Sequence, residues 1–300
     1  MAALTLDISF QQNWLDVLRA PFMQHAFIGG SLVAIAAGLI GYFVIIRSTA
    51  FAAHALAHIG FPGATLAVLL GTSVTGGLLV FTVGGALAIG ALGKRAADRE
   101  IATGTVLAFA TALGVLFAAL ATTSSTTVTN VLFGNLLAIA TDQLIVFGIL
   151  TGLVLLTLGV VFRPLLFASV DPHVAEARGL PVRTLGVIFI VALAFVITMS
   201  VQVVGTLLLF GLVVTPSATA LMITARPLRA VALGSALALI AVWTGLVLAA
   251  MFNLPPSFFI IAIATAIWLV TLAITRRTRR PRVPTGADAA VAEVDAGTRA

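Results

Sequence analysis

Four histidines occur in the sequence, at positions 25, 54, 58 and 173, and two of them stand four residues apart in the stretch FAAHALAHIGFPG. On a helix, positions i and i+4 share one face, so the imidazoles of His54 and His58 can point at one ion. In a soluble helix such a pair is commonly a surface pair that binds nothing. Here the neighbours are Ala, Leu and Ile. Two imidazoles buried among them without partners cost several kcal/mol, and ionisable groups inside a membrane face a pathway or one another. The sequence has no cysteine, which leaves nitrogen and oxygen as the only metal ligands. Zinc takes four ligands, and two histidines are too few. A second copy of the chain across a central axis would bring both pairs together as a four-nitrogen cage. His25 opens the first apolar run and is expected at the interface, and His173 is expected exposed in a loop.

Directly after the pair comes Gly60-Phe61-Pro62-Gly63. A proline with two glycines frees backbone carbonyls and predicts a discontinuous helix at a pathway; a proline kink with a packing role is the alternative. Asp98, Glu100 and Asp142 fall at loop positions. Thr103, Thr105, Thr111 and Gln202 are candidates to line a passage, or are ordinary packing groups. No GxxxxGK[ST] phosphate loop is present: the nearest approach, Ala88 to Arg95, lacks the first Gly and the Ser/Thr. HExxH, GxSxG and paired intramembrane carboxylates are also missing. The chain is therefore read as a non-enzyme whose energy comes from a partner, or as a passive conduit.

The elements that must carry these residues are membrane helices. The composition is 61% hydrophobic and 9% charged, with a mean hydropathy of +1.19, which excludes a soluble domain. Apolar runs recur at about 22–46, 51–70, 74–93, 101–121, 143–162, 184–201, 203–223, 229–252 and 257–275, each long enough for a hydrocarbon core about 30 Å thick. They are continuously apolar, not alternating, so the fold class is all-α, a polytopic helical bundle and not a barrel. Nine crossings are expected. The pair 184–201 and 203–223 is separated only by Ser200, Gln202 and Gly205, so eight spans with a re-entrant segment is the other reading.

The net charge of +6 is not a nucleic-acid footprint, because 14 of the 16 basic residues flank apolar runs on one side. They are Arg47; Lys94, Arg95 and Arg99; Arg163, Arg178 and Arg183; Arg226 and Arg229; and Arg276, Arg277, Arg279, Arg280 and Arg282. By the positive-inside rule that side, with the C-terminus, is cytoplasmic. The reading divides the chain into an interfacial segment 1–21, with Trp14 and Phe22 as anchors and Arg19 against the pattern, a membrane domain 22–275, and a basic, then disordered tail 276–300. The N-terminus lacks the pattern of a cleavable signal.

Two connections are longer than a turn. The outer one, 122–142, predicts a short helix at about 130–140. The inner one, 167–183, predicts one or two short helices, with Asp171 as N-cap, Pro172 as first helical residue and Gly179 as stop.

Taken with VIIRSTAFAAHALAHIGFPGATLA, the stretches REIATGTVLAFATALGVLF, LFGNLLAIATDQL, DPHVAEARGLPV and VQVVGTLLLFGLVVTPSATA occur in the order found in bacterial ABC importers of zinc, manganese or iron. The chain resembles their transmembrane permease subunit over about 22–275. The resemblance implies a fold related to cobalamin-type importer permeases, a homodimer, two cytoplasmic ATP-binding cassette subunits, an extracytoplasmic solute-binding protein, and multiple passes through the bacterial cytoplasmic membrane. The transported divalent metal is cargo, with no permanently bound cofactor. The family's acidic and histidine positions fall on His54 and His58, and its Gly and Ser on Ala53 and Ala57. Losing the carboxylate leaves imidazoles, which suit zinc better than manganese. The segment about 171–181 is similar to the one that docks on the ATPase, making Asp171, Pro172, Glu176, Arg178 and Gly179 coupling residues. A permease for an iron chelate or cobalamin-like complex, an intramembrane metalloenzyme and a membrane scaffold are the competing readings.

Overall fold

A chain crossing hydrocarbon must satisfy its own backbone hydrogen bonds, and the computed structural model does so with helices alone among the residues it describes, 13–92, 96–121 and 124–278. In chain order these are α1 (Trp14–Arg19), α2 (Pro21–Ile46), α3 (Ala50–Leu69), α4 (Val74–Leu92), α5 (Ala96–Leu120), α6 (Ser124–Phe133), α7 (Thr141–Val170), α8 (Pro172–Ala177), α9 (Val182–Val204), α10 (Leu209–Val213), α11 (Thr215–Ile223), α12 (Pro227–Phe252) and α13 (Pro256–Thr278). A 3₁₀ turn, Leu136–Ala138, precedes α7. Eight of the helices, α2 to α5, α7, α9, α12 and α13, are long and apolar enough to cross a membrane. Lys94 and Arg95, the side chains of Asp98, Arg99, Glu100 and Arg277, the tail beyond 278 and residues 1–12 lie outside what is described.

The ninth expected span, 203–223, is not a single helix. Gly205 ends α9 with φ at +84°, and its amide side packs against the Leu132 carbonyl, where a Cβ would meet that oxygen at 2.3 Å. Only glycine fits both conditions. Eleven residues on, Pro216 has no N–H to offer the Leu212 carbonyl, and the helix is interrupted between α10 and α11. The segment still runs the depth of the bundle. Its start bonds to the end of α6, Thr206 N–H to Val131 O at 2.9 Å, and its end packs with Leu272 and Thr275 of α13 around a cavity at the opposite end.

The two ends of the bundle differ in chemistry. One gathers α6, the 3₁₀ turn and the starts of α2, α4, α7 and α13: His25 Nδ1 lies 3.3 Å from the Ile139 carbonyl, Ser257 donates to Phe133 O at 2.9 Å, and Asn135 N–H donates to Gln202 O at 3.0 Å. We call this the amide end. The other, the basic end, holds Arg47, α8, the start of α9 and the end of α13. The start of α2 and the end of α13 therefore lie at opposite ends.

The spans of α2, α3 and α9 are mostly buried and carry the core, including Ile40, Phe43, Leu56, Leu193, Ile197 and Met199. Those of α5 and α13 have few buried residues. Helix α7 runs two turns past the expected end at 162, straight through Pro164 to Val170. The short helix expected at about 130–140 begins earlier, as α6, and Gly134 closes it. Helix α8 matches its expected caps: Asp171 accepts from Val174 N–H at 3.0 Å, Pro172 is the first residue, and Gly179 turns the chain with φ at +80°.

Candidate functional site

Helix α3 positions the histidine pair, and close backbone packing positions α3. At Gly63 and Gly77 the backbones of α3 and α4 touch: a Cβ on either residue would meet the other's carbonyl oxygen at 2.2 Å. Two residues back toward the histidines, the Phe61 ring lies on Gly114 of α5. These contacts fix the rotation of α3 and leave one stripe uncovered, Phe51, His54 and His58, on successive turns. Phe51 is 50% exposed, and both histidines are half-buried.

The expected interruption at Gly60, Pro62 and Gly63 does not occur; α3 is one helix from Ala50 to Leu69. Pro62 still removes the N–H that the His58 carbonyl would accept. The Phe61 and Pro62 carbonyls accept from Thr65 Oγ1, each at 3.2 Å, and the packing of Gly63 on α4 holds the helix together across the proline. In this structure Gly60 and Gly63 are contact residues between helices and not an unwound segment.

The two imidazoles meet edge to face, with centroids 4.8 Å apart and planes at 75°. His54 Nδ1 is buried and has no hydrogen-bond partner. An orphaned buried ring nitrogen is costly, and a Lewis acid is one group that would satisfy it. Ala53 and Ala57, the residues before each histidine, are fully buried and contribute no ligand. Among the described residues, no group of three or more His, Cys, Asp or Glu side chains could hold a metal ion. Among the described residues, one chain thus presents this histidine pair with no third His, Asp or Glu beside it.

The other sequence candidates are placed elsewhere. Thr105 and Thr111 return their hydroxyls to the carbonyls of Ile101 and Leu107 in their own helix. Thr103 is buried. Asp142 and His173 are exposed, as are Glu176 and Arg178 of α8 and its C-terminal turn. Gln202 is the hub of a polar cluster at the amide end that the sequence did not assemble. Its Oε1 accepts from Thr75 Oγ1 at 2.8 Å and from Gln143 Nε2 at 3.4 Å, and its Nε2 donates to Thr198 O. Gln143 and Gln202, with Asn130 and Asn135, line a cavity of about 160 Å³.

Comparison with known proteins agrees with this architecture. Residues 19–275 match the model of the ABC 3 transport family. The manganese transport system membrane protein MntC of Listeria innocua is 30% identical over 85% of this chain and 91% of its own. The manganese import system permease protein ScaB of Streptococcus gordonii is 31% identical over 86% and 93%. Among solved structures, PsaBC from Streptococcus pneumoniae in complex with Fab superposes with a TM-score of 0.78 at 29% identity, over 86% of this chain and 94% of that one. A second solved ABC transporter chain, in an inward-facing conformation, shares the fold at 17% identity with a TM-score of 0.66. A match spanning nearly the whole helical bundle, in a chain with no nucleotide-binding loop, places this protein in the ABC 3 transport family as a membrane-spanning permease subunit.

Proposed function

We propose that this chain is the permease subunit of an ATP-driven importer that moves a divalent metal ion across the bacterial cytoplasmic membrane by alternating access, with zinc favoured over manganese. The observation that carries the reading is the half-buried pair of imidazoles on α3, one nitrogen of which is buried without a partner. A site on the path must bind firmly enough to admit an ion and weakly enough to release it, and two neutral nitrogens per chain fit that requirement. A second copy, facing the first across the stripe of Phe51, His54 and His58, would raise the count to the four that zinc prefers. Two ATPase subunits would dock on α8 at the basic end, and a solute-binding protein would deliver the ion at the amide end.

Relatives named for manganese support a metal cargo. The choice of zinc rests on His54, which stands where the resembling family carries an acidic residue. Replacing a hard oxygen ligand by imidazole shifts preference toward borderline metals. Uptake of zinc and of manganese by the complex, in wild type and in His54→Asp, is the test. Zinc uptake in wild type, with manganese uptake gained in His54→Asp, is expected. Manganese uptake by wild type at the expense of zinc would refute the metal assignment, and uptake of neither ion would refute the importer reading.

A further inference from the structure

Arg47, the residue after α2, is half-buried and occupied on two sides. Its Nη1 donates to Ser169 Oγ at 3.1 Å, and its guanidinium carbon lies 5.0 Å from the centroid of the Phe189 ring, itself 2% exposed. Where Gly186 stands, one turn before Phe189, a Cβ would be only 3.7 Å from Nη2. Ser169 is in the last turn of α7, where its hydroxyl also donates to the Leu165 carbonyl. Phe189 is in the second turn of α9. A single guanidinium thus holds the end of α7 and the start of α9, the two helices that α8 joins.

On its other side Arg47 is tied to α3 with almost no slack. Only Ser48 and Thr49 intervene before Ala50. Ser48 turns with φ at +52°, and Ser48 and Thr49 N–H donate back to the Ile45 and Val44 carbonyls at 3.0 and 2.9 Å. His54 lies in the next turn of chain. A guanidinium resists two motions at once in this setting. The hydrogen bond along its edge opposes sliding, and the ring against its face opposes tilting.

We propose that Arg47 is a positioning residue that couples α8 to the histidine pair: displacement of the α7–α8–α9 corner is passed through the guanidinium to the start of α3, and so to His54 and His58. The proposal rests on the importer reading above, in which ATP hydrolysis acts on α8. Coupling requires that the contact differ between two states of the transporter, and an edge-and-face clamp on two helices is a contact that a shift of either one breaks.

The test uses the complete complex with its ATPase subunits, in liposomes, and reads zinc taken up per ATP hydrolysed. Arg47→Gln keeps a polar side chain without charge or cation–π attraction, and the ratio is expected to fall on the order of ten-fold while ATP hydrolysis persists. Arg47→Lys keeps the charge and is expected to recover part of the ratio. Ser169→Ala removes one hydroxyl and is expected to lower the ratio less. The zinc concentration for half-maximal uptake should stay unchanged in all three, because the histidines are untouched. An unchanged ratio in Arg47→Gln, including a parallel loss of uptake and hydrolysis, overturns the proposal. Should Arg47→Gln not assemble with the ATPase, Ser169→Ala decides by the same ratio. A wild-type complex that hydrolyses ATP and moves neither zinc nor manganese refutes the importer reading and this proposal with it.

Discussion

Imidazole nitrogens lose little by being half-buried when an ion is available to them and much when it is not. The edge-to-face pair of His54 and His58 leaves a buried Nδ1 without a partner, and the proposed metal role gives that nitrogen one. Replacing both rings, as His54→Ala/His58→Ala, should abolish metal binding and uptake while the bundle, whose contacts lie on the other faces of α3, still folds. Zinc titration of the purified variant checks this, and retained binding would remove the pair from the path. A different economy governs the hydroxyl pair of Thr82 and Thr198, 2.7 Å apart and fully buried between α4 and α9. One hydroxyl proton makes that bond, and the other hydroxyl donates to a carbonyl of its own helix, Leu78 O for Thr82 or Ala194 O for Thr198. Such bonds in membranes average about 0.6 kcal/mol, so Thr198→Val should cost on the order of 0.6 kcal/mol in reversible unfolding in mixed detergent. The histidine pair was legible because spacing within one helix suffices to bring it together. The Gln202 cluster was not, because Thr75 is 127 residues away and only the folded chain brings it within 2.8 Å.

At the level of elements, the sequence overstated what glycine and proline would do to α3 and understated what they would do after α9. Pro62 removes one backbone bond, but a helix packed on several neighbours keeps its course, and here Gly63 serves the contact with Gly77. Gly205 and Pro216 lie in an apolar run that reads as one span; the first turns the chain at +84° and the second denies a donor, and together they leave two short helices. What distinguishes the two cases is neighbouring backbone, which no single-sequence pattern records. The close approach of α3 and α4 gives a direct prediction. In Gly77→Val the side chain would enter the space of the Gly63 carbonyl, and overpacking of this kind costs about 1–3 kcal/mol. The stability loss should be accompanied by reduced zinc uptake, since rotation of α3 displaces the histidine stripe. Normal uptake with normal stability would mean that the contact is not needed. At the basic end, Asp171→Ala removes the cap of α8, worth about 1 kcal/mol, and should weaken retention of the ATPase subunits on purification.

For the whole molecule, opposite chemistry at the two ends is the feature that sets orientation. The basic end carries Arg47, Arg163, Arg178, Arg183, Arg226, Arg229 and Arg276 among the described residues, whereas the amide end carries Arg19 and a polar cluster of Asn, Gln, Ser and Thr with His25 beside it. Among the described residues, eight long helices and one broken traverse put the start of α2 and the end of α13 at opposite ends, so fixing one loop fixes all. By the positive-inside rule the basic end is expected to face the cytoplasm, where ATP is. Because the chain has no cysteine, single cysteines report this without background. Ser73, exposed in the turn between α3 and α4 at the amide end, and His173, exposed on α8, are suitable positions. In intact spheroplasts a membrane-impermeant thiol reagent should label Ser73→Cys and spare His173→Cys until the membrane is opened. The reverse pattern would turn α8 away from the ATP-hydrolysing partner and leave the importer without a place for that partner to act. Labelling of both before opening would mean that the bundle does not seal the bilayer. The expected pattern would leave the histidine stripe within three turns of the cytoplasmic end, so that an ion bound there has passed most of the membrane before the basic end must open to release it.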